Sequence, residues 1–274
     1  MEVIMIALAI IPSIILFVLI WRSDKTEKEP LSLLAKLFLF GALTIISAMV
    51  IGNLGERLVR PLLGESLIFL LIDNFILTAL VEESGKYFVL KKTTWKHPAF
   101  NYTFDAVVYS VCASLGFATL ENILYILDGN LSTAISRGLL SVPGHVSYAI
   151  FMGFYYGMAK LASTHGDEKQ SKNYLIKALW IPVALHGFYD FCLSTDNLAF
   201  IILIIIFEIV IFVLAAKKVR KLSREDRLIE ENGIEAADGT GIEMIDESKV
   251  EVIDESEDVV IDESEADTTD KTDV

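Results

Sequence analysis

Seven long apolar stretches run through this chain, at about residues 3–21, 31–52, 67–90, 104–127, 138–161, 176–193 and 198–216. Each approaches the roughly 20 helical residues needed to cross a hydrocarbon core of about 30 Å. Lipid offers the backbone no hydrogen-bond partner, so only helices or a closed barrel can span it. Period-2 alternation is absent and the runs are too long for barrel strands. The expected fold class is therefore all-α, a polytopic transmembrane helix bundle of about seven spans. Turn formers and charges such as Asp24-Lys25, Pro61, Gly64, Pro98, Asp128-Gly129-Asn130 and Gly166-Asp167 fall between them.

Charge divides the chain unevenly. Of the net −14, residues 1–216 carry −2 and residues 217–274 carry −12. That split excludes one uniform soluble globule, and the acidic balance excludes a basic nucleic-acid binder, so no nucleic-acid partner is expected. Three regions follow: a transmembrane helical domain over 1–216, a basic juxtamembrane segment over 217–227, and an acidic tail over 228–274. The tail holds 18 acids and 2 bases, with no aromatic residue and no proline. Such a composition cannot offset chain entropy, which predicts disorder. Within it Ile-Asp-Glu-Ser recurs at 245, 253 and 261, a period of eight. The tail reads as a solvated, self-repelling segment or as a docking element for a cytoplasmic partner.

Lys and Arg orient the spans. Arg22, Lys25 and Lys28 lie in the first loop, Lys91, Lys92 and Lys96 in the third, Lys169 and Lys172 in the fifth. Lys217 to Arg227 follow the last span. Odd-numbered loops are thus expected in the cytoplasm of a multi-pass cell-membrane protein, with the N-terminus outside and the C-terminal tail inside. Arg57, Arg60 and Arg137 are the bases on the opposite side. The first span starts Met1-Glu2 without a basic n-region or a cleavage site, and reads as a retained helix. Cys112 and Cys192 sit in or beside spans, outside any CxxC pair, and read as buried small residues.

An ionisable residue inside a span is expensive unless paired, so each is a functional candidate. Span three carries Asp73 and then Glu82-Glu83-Ser84-Gly85-Lys86; span four, Phe117 to Glu121-Asn122; span five, His145; span six, His186 and Asp190; span seven, Glu208. Glu82 and Lys86 are four apart, share a face and can pair, leaving Glu83 about 100° around the helix. His186 and Asp190 have the same spacing, at which a carboxylate can orient an imidazole. Phe117 and Glu121 again share a face. Glu121 and His145 come out roughly 10 Å below the outer surface at about 1.5 Å per residue, with the glutamate pair deeper. Each group has a bland reading: a neutralised Glu82–Lys86 pair, helix-bridging histidines, a solvated Asp73, a structural or protonated Glu208. Four such motifs on four successive spans argue for a shared site.

Carboxylates and imidazoles meeting in a dry bundle suit general acid–base chemistry. For peptide hydrolysis, Glu82 or Glu83 can activate water, His145 or His186 can donate to the oxyanion, and Asp190 can orient. The same side chains can hold a divalent metal with an open position. There is no HExxH, no recognisable Ser- or Cys-centred triad, and no GxGD pair. The motifs EExxK at Glu82–Lys86, FxxxEN at Phe117–Asn122, the span-five His145 and HxxxD at His186–Asp190 resemble the PrsW family of intramembrane proteases. That family is related to the CAAX prenyl endopeptidases and bacterial Abi proteins. The resemblance covers about residues 31–195, with the motifs in order on successive helices. It implies catalytic roles for Glu82, Glu83, Glu121, His145, His186 and Asp190, supported by Lys86, Phe117 and Asn122. It further implies a single-span, membrane-anchored substrate of the anti-sigma-factor kind, cut in the manner of a site-1 protease. No cofactor is certain; a divalent metal such as zinc is the open possibility, with Glu83, Glu121, His145 and His186 as its ligands. Two other functions fit the same residues: a proton- or ion-coupled transporter using them as a relay, and a non-catalytic membrane scaffold.

Overall fold

A computed structural model of the chain describes residues 2–128, 131–195 and 197–229. The acidic tail beyond 229 and its eight-residue repeat lie outside the described residues. Among the described residues there are seven helical rods. They are α1 (Glu2–Ser23), α2 (Leu31–Leu63), α3 (residues 67–94), α4 (Asp105–Asp128), α5 (residues 131–164), α6 (Glu168–Ser194) and α7 (Leu198–Arg224). Among the described residues there is no strand, only an isolated bridge between Tyr102 and Leu228. Four rods, over Ile4–Ser23, Leu31–Leu63, Asp105–Leu127 and Leu198–Arg224, are long and apolar enough to cross a membrane. In α3, α5 and α6 the apolar length is interrupted by the ionisable residues of the interior.

Most rods outrun the stretches read from hydropathy. The largest extension is α2, which continues to Leu63 and so carries Arg57 and Arg60 on a helix rather than in a loop. Arg60 pairs with Glu56 at 2.9 Å and Glu65 at 3.2 Å and stacks over Phe69. Hydropathy marks where the chain is greasy; the helix goes on because its backbone bonds do not depend on lipid. Side-chain caps close several starts: Ser66 accepts from the Phe69 N–H, Asp167 from Gln170 and Asn197 from Ala199.

Two rods are not uniform α-helix. In α3 the α-helices Leu67–Ile72 and Val81–Thr94 are joined by a π-helical segment, Asp73–Leu80. Here Asn74 Nδ2 donates to the Leu70 carbonyl at 2.8 Å, the acceptor an α-helix would give to the Asn74 N–H. In α5 a π segment, Arg137–Ser141, precedes Val142–Thr164. Pro143 lacks the N–H that would bond residue 139, and the wider turn accommodates that gap. Each π segment changes the phase of the helix that follows, and each is followed within a few residues by candidate site residues.

The core is centred on α4. Gly41 on α2 and Gly116 on α4 form a reciprocal contact. A Cβ added to Gly41 would sit 2.0 Å from the Ala113 carbonyl oxygen, and one added to Gly116 would sit 2.0 Å from that of Phe38. On the other side of α4, Gly153 and Gly157 of α5 meet the Ala106 and Thr103 carbonyls, each at 2.6 Å from an added Cβ. Without a hydrophobic drive between helices in lipid, such close backbone packing supplies the attraction. Cys112 and Cys192 are both free and buried, as the sequence predicts.

Loops one, three and five share one end of the bundle with the segment after α7. Asn101 donates to Glu27, Thr26 and Thr103 donate to Asp226, the Thr103 N–H to the Arg227 carbonyl, and Lys160 to the Trp95 carbonyl. Leu228 and Ile229, the first residues of the expected tail, belong to this clasp: Ile229 is buried and its N–H donates to Asn101.

Candidate active site

Glu83, Lys86, His145 and His186 converge from three rods and are all buried. Lys86 Nζ donates to Glu83 Oε1 at 2.7 Å, and lies 3.7 Å from Glu82 Oε2. The i,i+4 pair expected between Glu82 and Lys86 is therefore the longer of two contacts, and Glu83 is the principal partner. Lys86 explains this by reaching sideways across the bundle: its ammonium also lies 3.2 Å from His145 Nδ1 and 4.2 Å from the centre of the Phe117 ring. Phe117 in turn meets His145 edge-on, with 5.7 Å between ring centres.

His186 bridges two carboxylates. Its Nδ1 lies 2.9 Å from Glu83 Oε1 and its Nε2 3.2 Å from Asp190 Oδ2, the latter across one helical turn as the spacing predicts. The two imidazoles face each other edge to plane with ring centres 5.0 Å apart. An ammonium cannot accept a hydrogen bond, so a charged Lys86 requires the lone pair of His145 Nδ1. The remaining ring proton is then on Nε2, which points at Glu121 Oε2 3.0 Å away.

Glu82, Glu121, His145, His186 and Asp190 line a polar cavity of about 250 Å³. Glu83, Lys86 and Phe117 stand outside that lining and hold it in place. Asn122, fully buried, accepts from Arg137 Nε at 2.9 Å. Two oxygens of the lining, Asp190 Oδ2 and Glu82 Oε2, are buried with no hydrogen bond among the described residues; Asp190 Oδ2 still sits 3.2 Å from His186 Nε2, which leaves Glu82 Oε2 the more isolated. Glu82 Oε2 is 3.9 Å from His186 Nε2.

Glu82, His145 and His186 each offer a donor atom within 4.8 Å of the others. This differs from the metal set drawn from the sequence: Glu82 takes the place of Glu83, whose Oε1 is engaged by Lys86 and His186, and Glu121 is not in the group. Two imidazoles and a carboxylate match a catalytic zinc site in number and kind. The orphaned Glu82 oxygen fits such an ion too.

Several residues of the site were not singled out in the sequence. Arg137, counted there as a loop base, sits on the π segment of α5. Its Nη2 lies 2.6 Å from Glu121 Oε2 and 3.2 Å from Ser141 Oγ, and its guanidinium stacks 3.8 Å over the Tyr125 ring. Its only sequence signal is being a base on the side where bases are scarce. Tyr148, one turn beyond His145, stacks on His186 with 5.6 Å between ring centres and donates to Glu208. Glu208 thus gains from α5 the partner missing on its own span. Asp73 is half-buried at the rim of a neighbouring groove.

Comparison with known proteins adds an independent line. A model of the PrsW family intramembrane metalloprotease matches residues 29–216. Protease PrsW of Geobacillus kaustophilus (strain HTA426) is 38% identical over 191 residues, 69% of this chain and 79% of its own length. Protease PrsW of Clostridioides difficile (strain 630) is 34% identical over 226 residues, 81% of this chain and 92% of its own. That of Bacillus subtilis (strain 168) is 33% identical over 189 residues, 69% and 82% respectively. No solved structure matches the chain.

Proposed function

The chain belongs to the PrsW family of intramembrane proteases, and on that footing we propose that it cuts a peptide bond in a single-span membrane protein, with Glu82 at the reacting water. One observation carries the assignment: Glu82 Oε2 is buried, faces the polar cavity and, among the described residues, has neither a hydrogen-bond partner nor the close imidazole contact, 3.2 Å to His186 Nε2, that the likewise unbonded Asp190 Oδ2 has. A carboxylate in that state is free to take a proton from water, whereas Glu83 is tied to Lys86 and His186. The two glutamates therefore divide the work, Glu82 as base and Glu83 as the group that orients His186. Asp190 steadies the same ring from the cavity side.

In hydrolysis the water's proton passes to Glu82 as its oxygen attacks the carbonyl, and returns to the departing amine. The His145 ring N–H, shared with Glu121, is the donor placed for the oxyanion. Arg137 holds Glu121 and adds positive charge to the same wall. In the alternative, metal-dependent form Glu82, His145 and His186 would hold a divalent ion, His145 giving up its Nε2 proton, and the ion would supply Lewis-acid polarisation of the scissile carbonyl in place of that N–H and of Glu82 as a free base. Substrates of the anti-sigma-factor kind, cut outside the cytoplasm, fit the orientation set by the basic odd-numbered loops, with the acidic tail left to a cytoplasmic partner.

Co-expression with a single-span reporter substrate tests the reading. Wild type should release a truncated substrate; Glu82→Gln and His186→Ala should not. Cleavage that survives Glu82→Gln sinks the assignment. Metal analysis of purified active protein, with chelation and zinc restoration, separates the metal-dependent from the metal-free reaction.

A further inference from the structure

The polar cavity continues into an open groove of about 500 Å³ between α2, α3 and α4, and the two share Thr78, Glu82, Glu121 and Tyr125. Ile45, Met49, Leu77 and Leu124 make the groove apolar. Gly52 widens it: an added Cβ would come within 3.6 Å of the Leu77 carbonyl oxygen and near nothing else. From Ile45 to Glu56 along α2 the groove runs about 16 Å, long enough for about five extended residues. Its character changes at the end near the α2–α3 turn, where Glu56 and Asp73 form the lining. Arg60, the nearby base, is engaged by Glu56 and Glu65. Among the described residues no cation is in ion-pair contact with Asp73.

We propose that this groove receives the substrate segment next to the scissile bond, and that its acidic end selects single-span proteins carrying Lys or Arg a few residues from that bond. The inference rests on the protease reading above and names the substrate feature the enzyme recognises. Three properties of the groove support this occupant. It opens onto Glu82, so a chain lying in it presents its backbone to the reacting water. Its apolar walls match the end of a transmembrane segment. Its unmatched carboxylate complements a basic residue, whose aliphatic stem can lie along the apolar wall while its charge reaches the acidic end.

The test uses purified full-length protein in lipid vesicles and a matched set of single-span reporters with Lys, Gln or Glu at the flank. Wild type should cleave the Lys reporter at least about ten-fold faster than the Glu reporter, the penalty expected of like charges brought together. Asp73→Asn should level the series and Asp73→Lys should reverse it. In a Glu82→Gln background, a photo-cross-linker at the exposed Asn53 should capture the Lys reporter and lose the Glu reporter, a readout that needs no turnover. Cleavage indifferent to flank charge, or cleavage without capture at position 53, overturns the groove assignment and leaves the protease reading standing. Charge-dependent capture without cleavage by wild type does the reverse. Absence of both overturns both.

Discussion

Replacing each glutamate of the pair by glutamine separates catalysis from architecture. Glu82→Gln removes a carboxylate oxygen that has no hydrogen bond to lose, and Lys86 keeps Glu83 at 2.7 Å. Its stability cost should be about 1 kcal/mol or less. Loss of a general base lowers turnover by roughly 10²–10⁴, equivalent to about 2.7–5.4 kcal/mol of barrier. Glu83→Gln strips the carboxylate that both Lys86 and His186 face, and Lys86 is only 1% exposed. An ammonium buried without its partner costs about 3–5 kcal/mol. Glu82 at 3.7 Å offers partial compensation, which puts the cost near the low end. At about 2–4 °C per kcal/mol, the unfolding midpoint should drop by roughly 6–12 °C. Adding Lys86→Met to Glu83→Gln should recover much of that drop, since removing both charges leaves none stranded. The assay is thermal unfolding in detergent, followed in parallel with reporter cleavage. A Glu83→Gln protein that melts with wild type, or a Glu82→Gln protein within ten-fold of wild-type cleavage, would refute the division of roles.

Three further outcomes can be checked with the same preparations. Arg137→Lys should lose most of the cleavage activity that Arg137→Ala loses, because a lysine cannot reproduce a fork that meets Glu121, Asn122 and Ser141 together; full activity in the lysine variant speaks against it. Gly116→Val should cost at least about 1–3 kcal/mol or abolish folded expression, as its Cβ would fall 2.0 Å from the Phe38 carbonyl oxygen; a wild-type melting curve contradicts the packing. Glu29 lies between spans, where burial pushes its carboxyl above the usual 4.5 despite the Tyr109 hydroxyl that donates to it. The folded protein then holds this proton at pH values where the unfolded chain has released it. Stability should fall as pH rises from 4.5 through the raised value, and Glu29→Gln should flatten that part of the pH–stability curve.

The motifs were readable because their spacings are local. HxxxD puts Asp190 one turn from His186 wherever the helix goes, and the structure has them 3.2 Å apart. The same logic found the contact of Lys86 with Glu82, at 3.7 Å, but not the shorter one with Glu83, which depends on how a long side chain crosses to His145 and Phe117 on other rods. It also missed Arg137, which a hydropathy reading leaves in a loop because only six residues separate it from Asp128-Gly129-Asn130 and its own charge ends that short run.

What the sequence determined by itself is the class of solution: lipid forbids unpaired backbone, so apolar runs of this length become helices, and intramembrane carboxylates and imidazoles become the candidate site. The order of motifs and the family followed from the same local signals. Tertiary structure decided which glutamate faces the cavity, which donors could share an ion, and that a groove with an acidic end opens onto them. Those facts depend on helix phase and helix contact. Two π segments alter the phase ahead of Glu82 and His145, and glycine contacts at 41, 116, 153 and 157 set how closely α2 and α5 approach α4. Neither has a signature in a pattern read at 100° per residue along one helix at a time.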